Sequence, residues 1–292
     1  MDEGGNVATS PYLSICSGIG GLDLGVDLGS SGVAVPICYV EREATAVGLM
    51  VRAMGDGILP EAHVWSDLRT FGPDVWTGRI DGIVGGYPCQ PFSNSGRKRG
   101  TKDPRHIFPE IARIIADYQP RWCFFENVQA HLSLGYFTDV KPTLEHLDYR
   151  VEEQVIKASD VGAPHVRGRL FILAVANSAS DGLSHREIAN TLAPDLASDQ
   201  SIDDGWSSRI VGRPTFPPAF SDDQGWDDAL REYAQGSPVR QPRVRGVVDG
   251  TTVRLGWRPQ DTIHALGNAV VPLQAAVAWR LLWTEFTTRS ES

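Results

Sequence analysis

Residues 12–25 read YLSICSGIGGLDLG, a strand-like apolar run that breaks into three closely spaced glycines, Gly18, Gly20 and Gly21, and continues in a helical pattern. A strand, a glycine turn and a helix in that order open a doubly wound α/β unit. The glycines let the backbone approach a ligand and turn helix amides toward it. A dinucleotide fingerprint would require another glycine at position 23, where Asp23 stands. The turn therefore suits a smaller, nucleoside-type cofactor better than a pyrophosphate.

The same alternation runs on through the first 175 residues. Residues 37–40 (ICYV), 64–65, 82–84, 122–125 (WCFF) and 170–175 (LFILAV) read as strands, and 43–55, 109–118 and 140–149 as helices. In the second helix Pro109 suits the first turn, and Ile111, Ile114, Ile115 and Tyr118 form one apolar face. An α/β fold follows, with a mostly parallel, Rossmann-like sheet, helices on both faces and ligands at the carboxyl ends of its strands. Residues 177–259 are rich in Ser, Asp, Gly and Pro, hold no Lys and show little periodicity, so a small irregular domain is expected there. Helical spacing returns at 270–286, with Leu273, Val277, Leu281 and Leu282 on one side. The expected organisation is a catalytic and cofactor-binding domain from residues 1–176 and 260–292, interrupted by 177–259.

Of the 292 residues 41% are hydrophobic and 22% charged, the composition of an ordinary globular protein. No apolar run approaches a membrane span, and the first residues lack the parts of a signal peptide, so a cytoplasmic protein without membrane contact is expected. Four widely spaced cysteines with no C-x-x-C argue against zinc and against a disulfide framework, and no metal is called for. The net charge of −9 disfavours a nucleic-acid partner, but residues 97–105 and 240–258 each sum to +4. Two basic stretches on an acidic body can hold phosphates while the body limits non-specific attachment.

Several residues carry chemistry by position. Glu41, at the end of the second strand, is placed to accept from a ribose diol, and Asp67, after the third, to hold an adenine amino group. Cys89 lies in GGYPCQPFSNSG (residues 85–96), at the ligand end of the fourth strand between Pro88 and Pro91. A thiol there, with the cationic stretch 97–105 beside it to favour the thiolate, is a candidate nucleophile. Cys16, Cys38 and Cys123 sit in or at the end of apolar strands and read as small buried hydrophobes. Glu126, beside Asn127 after four apolar residues, is a costly carboxylate unless it is paired or at work. Strand alternation sends Arg167 and Arg169 to one face, where two guanidiniums suit a phosphate and a base oxygen.

Five blocks in this order, SGIGG, PCQPFS, ENV, the two-arginine strand and the Gly267-Asn268 of ALGNAVVP, resemble the DNA (cytosine-5)-methyltransferases of compact bacterial or phage type. The resemblance implies S-adenosyl-L-methionine as cofactor and methyl transfer to carbon 5 of a flipped-out cytosine in duplex DNA. It further implies that Cys89, Glu126, Arg167 and Arg169 act in catalysis, with Asn127 as organiser. Ser17, Gly18, Gly20, Gly21, Glu41, Asp67, Pro88, Asn268 and Ala269 would contact the cofactor. Gln90, Ser93, Arg97, Arg99 and Arg105 would hold DNA beside the nucleophile, while Arg240, Arg243 and Arg245 would read bases from a target-recognition domain at 177–259. Expected partners are duplex DNA and, in a restriction-modification setting, a cognate endonuclease, with the chain itself a monomer. A tRNA cytosine-5 methyltransferase and a catalytically silent DNA-binding relative are the alternatives. Two departures stand out: Cys16 replaces the family's usual Phe, and His165 its usual Gln.

Overall fold

The computed structural model describes residues 9–88, 107–163, 166–177, 182–193 and 270–288. In chain order these form β1 (Ser10–Ile15), α1 (Gly21–Ser30), β2 (Ala34–Val40), α2 (Ala44–Gly55), β3 (His63–Trp65), β4 (Gly82–Gly85), α3 (Phe108–Tyr118), β5 (Trp122–Val128), a π-helix (Leu132–Val140), α4 (Lys141–His146), β6 (Tyr149–Lys157), β7 (Gly168–Ala176), α5 (His185–Leu192) and α6 (Pro272–Thr288). The strands build one sheet in the order β3-β2-β1-β4-β5-β7-β6. Pairing is parallel from β3 across to β5, and β7 is antiparallel to both β5 and β6. Strand order reverses between β1 and β4. At such a switch point the crossovers leave in opposite directions and open a crevice at the carboxyl ends of the strands.

Alternation along β1 sends Tyr12 to one face and Leu13 and Ile15 to the other, and each face has its own core. Tyr12 joins Trp122, Phe124 and Phe171 under α1, α5 and α6, with Trp279, Trp283 and Phe286 of α6 fully buried. Leu13 and Ile15 join Phe71, Phe125 and Tyr136 under α3 and the π-helix. In α3 the expected face is the observed one: Ile111, Ile114 and Ile115 are buried, each contributing about 1.5–3 kcal/mol relative to exposure. Tyr118 packs at its edge and donates to the Trp76 carbonyl.

Four expectations change. Residues 140–149, read as one helix, divide between the end of the π-helix, the short α4 and a turn, and Tyr149 opens β6. The unanticipated edge strand β6 forms an antiparallel hairpin with β7, so the sheet is parallel only through its first five strands. In the stretch read as irregular, residues 185–192 form a capped helix: Ser184 accepts from the Glu187 amide, and the Glu187 carboxylate accepts from the Ser184 amide. That helix packs Ile188, Ala189 and Leu192 into the same core as α6, where the Trp279 indole donates to the Leu192 carbonyl. The buried side of α6 also differs from the expected stripe. Ala275, Ala278, Trp279, Leu282 and Phe286 are buried, while Leu273, Val277 and Leu281 are only partly so, because α1, α5 and β6 all pack on this helix.

Candidate active site

β1 ends at Ile15, and Cys16 turns the chain with a left-handed φ of 49°. Gly18 and Gly20 follow at φ 58° and 82°, a region where side chains are strained, and Gly20 caps α1. Glu41, just beyond β2, fastens this turn: its carboxylate accepts from the Gly18 amide at 2.8 Å and from the Arg42 and Glu43 amides at 2.7 Å each. Both oxygens thus already serve the main chain. A carboxylate has about four lone-pair sites, so capacity for a ribose diol remains. Under the turn Asp23 is buried and accepts from the Tyr12 hydroxyl at 3.1 Å, and burial pushes its pKa up to about 6.

The glycine turn and the ends of β1, β4 and β5 enclose a cavity of about 400 Å³ at the switch point. Ser17, Gly18, Gly21, Glu41, Pro88, Glu126, Asn127 and Arg169 all line it, together with Cys16, Tyr87 and Val270. Sequence reasoning thus assembled most of one wall. Asp67 stands elsewhere: it caps a short 3₁₀ turn, accepting from the Arg69 amide at 3.0 Å, and does not line the cavity. Cys16 is half-buried and opens onto the cavity, so it is no core hydrophobe, unlike Cys38 and Cys123. Burial, then the Glu41 carboxylate, holds its thiol at a pKa of about 12.

Across the cavity from the glycine turn, β5 presents Glu126 and antiparallel β7 presents Arg169, whose register partner is Val128. The Arg169 Nε donates to Glu126 Oε1 at 2.6 Å. Desolvation pushes the Glu126 pKa up to about 7, against the opposing pull of Arg169 and then Arg167. Arg167 lies just before β7 with its carbonyl held by Gln274 of α6 at 2.8 Å. Its Nε and Nη2 are buried without a hydrogen-bond partner among the described residues. Gly86 belongs to this geometry, since a Cβ there would lie 3.3 Å from Glu126 Oε2. Asn127 is fixed by donating to the Tyr87 carbonyl at 3.1 Å and accepting from the Val128 amide at 2.9 Å.

Cys89, Gln90, Ser93, Arg97, Arg99, Arg105, His165, Arg240, Arg243, Arg245, Asn268 and Ala269 lie outside the described residues. The pairing of Tyr87 with His131 was not anticipated, and neither was Val270 in the cavity wall. A tyrosine directly before Pro88-Cys89 was the one available signal for the first. Among the described lining residues Asp23, Glu41, Glu43 and Glu126 are acidic and Arg169 is the only Lys or Arg. That imbalance gives the described wall of the cavity an acidic character.

The family model for C-5 cytosine-specific DNA methylases matches residues 11–209, a span that holds the glycine turn, the Pro88-Cys89 loop, Glu126-Asn127 and both arginines. The chain belongs to this family. Among similar proteins, the Type II methyltransferase M.AplI of Arthrospira platensis is 43% identical over 165 residues, which are 56% of this chain and 44% of that protein. M.HhaI of Haemophilus parahaemolyticus is 31% identical over 170 residues, 57% of this chain and 49% of that one. The chain thus spans just under half the length of these two relatives. Among solved structures, the S. pombe Dnmt2 methyltransferase superposes with a TM-score of 0.56 at 15% identity, covering 97% of this chain and 99% of that one, and it shares the fold. Within the described residues, no helix is long and apolar enough to cross a membrane.

Proposed function

We propose that this C-5 methylase transfers a methyl group from S-adenosyl-L-methionine to carbon 5 of a cytosine turned out of duplex DNA, through a covalent adduct at Cys89. The observation that carries the reading is the Glu126–Arg169 pair, held at the mouth of the glycine-turn cavity with the carboxyl poised near neutral pKa. Carbon 5 of cytosine is a weak nucleophile until something adds to carbon 6. The Cys89 thiolate forms that bond through Sγ, the ring electrons moving toward N3 and O2. Glu126, protonated, donates at N3, and Arg169 faces O2, so charge developing on the ring meets a donor and a cation already in place. When bound, the cofactor supplies an electrophilic methyl within reach of carbon 5. A base then takes the carbon 5 proton, the Sγ–C6 bond breaks to release Cys89, carbon 5 becomes sp² again, and N3 returns its proton to Glu126.

The same reading assigns the remaining roles. Glu41 and the glycine turn hold the nucleoside end of the cofactor, with Asn268 and Ala269 closing over it. Arg167 adds its positive charge beside Glu126 and Arg169. Gln90, Ser93 and the cations at 97, 99 and 105 grip the strand beside the flipped base, a step that costs a few kcal/mol of unstacking. The segment 177–259 reads the flanking bases, with Arg240, Arg243 and Arg245 suited to guanine. The protein acts as a cytoplasmic monomer, and a restriction endonuclease of the same specificity is its proposed partner.

Methyl transfer measured in parallel on duplex DNA and on tRNA tests the assignment, with bisulfite sequencing to locate the product. The expected product is 5-methylcytosine in duplex DNA within one short sequence context. Product in tRNA alone would move the chain to the RNA branch of this chemistry, and product in neither would mark a silent DNA-binding relative.

Cys16 gives a second test of the cofactor assignment. Its side chain reaches the cavity from the turn after β1, where a phenylalanine would offer the adenine a larger surface. Cys16→Phe should tighten S-adenosylmethionine binding by up to about 1 kcal/mol, the scale of an aromatic packing gain, as read by titration calorimetry. Weaker binding would mean that neighbouring side chains already fill the space.

A further inference from the structure

The Tyr87–His131 pair joins the two strand ends that carry the proposed nucleophile and the proposed acid. β4 ends at Gly85, and the chain then runs Gly86-Tyr87-Pro88 into Cys89. β5 ends at Val128, and His131 stands three residues on, at the start of the π-helix. The Tyr87 hydroxyl and His131 Nε2 share a hydrogen bond of 3.1 Å, and the two rings meet edge to face with centroids 5.6 Å apart. Both residues are buried, at 5% and 1% exposure. The Tyr87 carbonyl is held independently by Asn127 at 3.1 Å. Phe108 and Phe125 pack the rest of the tyrosine ring at centroid distances of 5.3 and 5.9 Å.

A phenylalanine opposite a leucine would fill this space with no polar atom to satisfy. A buried hydroxyl and imidazole instead carry a desolvation cost that their mutual bond offsets, and the bond adds direction, which apolar packing lacks. With its hydroxyl tied to the β5 side and its carbonyl tied to Asn127, Tyr87 has a fixed plane and a fixed outgoing peptide. That peptide leads through Pro88 to the thiol.

We propose that Tyr87 and His131 are positioning residues for Cys89, setting the direction in which the chain enters the nucleophile loop through the hydroxyl–imidazole bond between the ends of β4 and β5. The inference rests on the reading of Cys89 as the attacking thiol. A misplacement near 1 Å at a reacting atom can cost about 10²-fold in rate, so a modest loosening should register in the covalent step.

The experiment follows the rate of covalent trapping of the full chain on duplex DNA containing 5-fluorocytosine, with cofactor affinity and thermal midpoint measured on the same samples. Tyr87→Phe removes one oxygen and leaves the packed ring; at saturating cofactor it should still slow trapping by about tenfold or more. His131→Leu should show a similar loss, the double variant should be no slower than the slower single, and His131→Gln, which keeps a hydrogen-bonding group, should recover much of the rate. Trapping of Tyr87→Phe at the wild-type rate overturns the proposal, as does a loss that disappears at saturating cofactor, or losses that add in the double variant. Should His131→Leu fail to fold, Tyr87→Phe with His131→Gln decides. A wild type that is never trapped overturns the Cys89 reading and this inference together; a trapped wild type beside an unaffected Tyr87→Phe overturns this inference alone.

Discussion

Cys89→Ala should abolish methyl transfer to duplex DNA and leave S-adenosylmethionine binding nearly intact. The asymmetry follows from where each task resides. Among the described residues the proposed cofactor cavity is walled by the glycine turn, Glu41 and the ends of β1, β4 and β5, and the proposed task of the thiol is the covalent step instead. The proposed covalent step would depend on it entirely, because no oxygen or nitrogen nucleophile of similar softness would take its place at carbon 6. Duplex DNA carrying 5-fluorocytosine makes the point without a turnover assay. Sγ adds to carbon 6 and carbon 5 accepts the methyl, but fluorine cannot depart as a proton would, so Cys89 is not expelled and protein and DNA stay joined through a denaturing gel. Wild type with cofactor should give that joined species and Cys89→Ala should not. A wild type that turns over and is never joined would remove the covalent mechanism, and a joined Cys89→Ala would place the nucleophile at another residue.

The parts of the fold that could be read from the sequence are those in which one apolar pattern maps to one buried surface. β1 and the glycine turn were legible because a strand buried on both faces gives a continuous apolar run, and positive φ at Gly18 and Gly20 demands glycine. The face of α3 was legible because a single layer covers it. β6 was missed for a physical reason. As an edge strand it carries Arg150, Glu152, Glu153 and Gln154, charges and amides that keep an open edge from pairing with other chains, and they dilute the alternation of Tyr149, Val151 and Val155. The stripe on α6 was misplaced because that helix is packed by α1, α5 and β6 together, so tryptophan and alanine on several sides are buried and no single face decides.

Much the same division holds at the site. Glu126 and Arg169 announced themselves as charges on apolar strands, and the antiparallel pairing of β5 with β7 sets them 2.6 Å apart. Asp67 looked equally apt after its strand, yet its side chain is used locally as a helix cap, a role that aspartate fills throughout proteins and that sequence position alone does not separate from ligand binding. Tyr87 and His131 were silent because a buried pair satisfied internally leaves no mark in composition or periodicity; only the approach of β4 to β5 brings them together. Glu41 was read as a ribose acceptor, and the structure shows it holding the amides of Gly18, Arg42 and Glu43, a role its position in the sequence did not signal.

Glu126→Gln separates the two contributions that Glu126 makes, shape and acidity. The amide keeps the length and one hydrogen bond to Arg169, so DNA affinity should change little. Loss of the ionisable proton should lower turnover by about 10²- to 10⁴-fold, the range of a general acid. The pH dependence gives the sharper criterion. Desolvation raises the Glu126 pKa from 4.5 to about 7 against the pull of Arg169, so the folded protein holds this proton at pH values where the unfolded chain has released it. Folding stability linked to this carboxyl is therefore fully present below about pH 4.5 and is lost as pH rises through about 7. The same titration bears on the reaction: with Glu126 donating at N3 as proposed, kcat/KM should fall on the alkaline side of about pH 7. Wild type should then show a falling alkaline limb that Glu126→Gln lacks. A glutamine variant with wild-type turnover would reduce Glu126 to an anchor for Arg169, and one that kept the falling limb would assign that titration to another group.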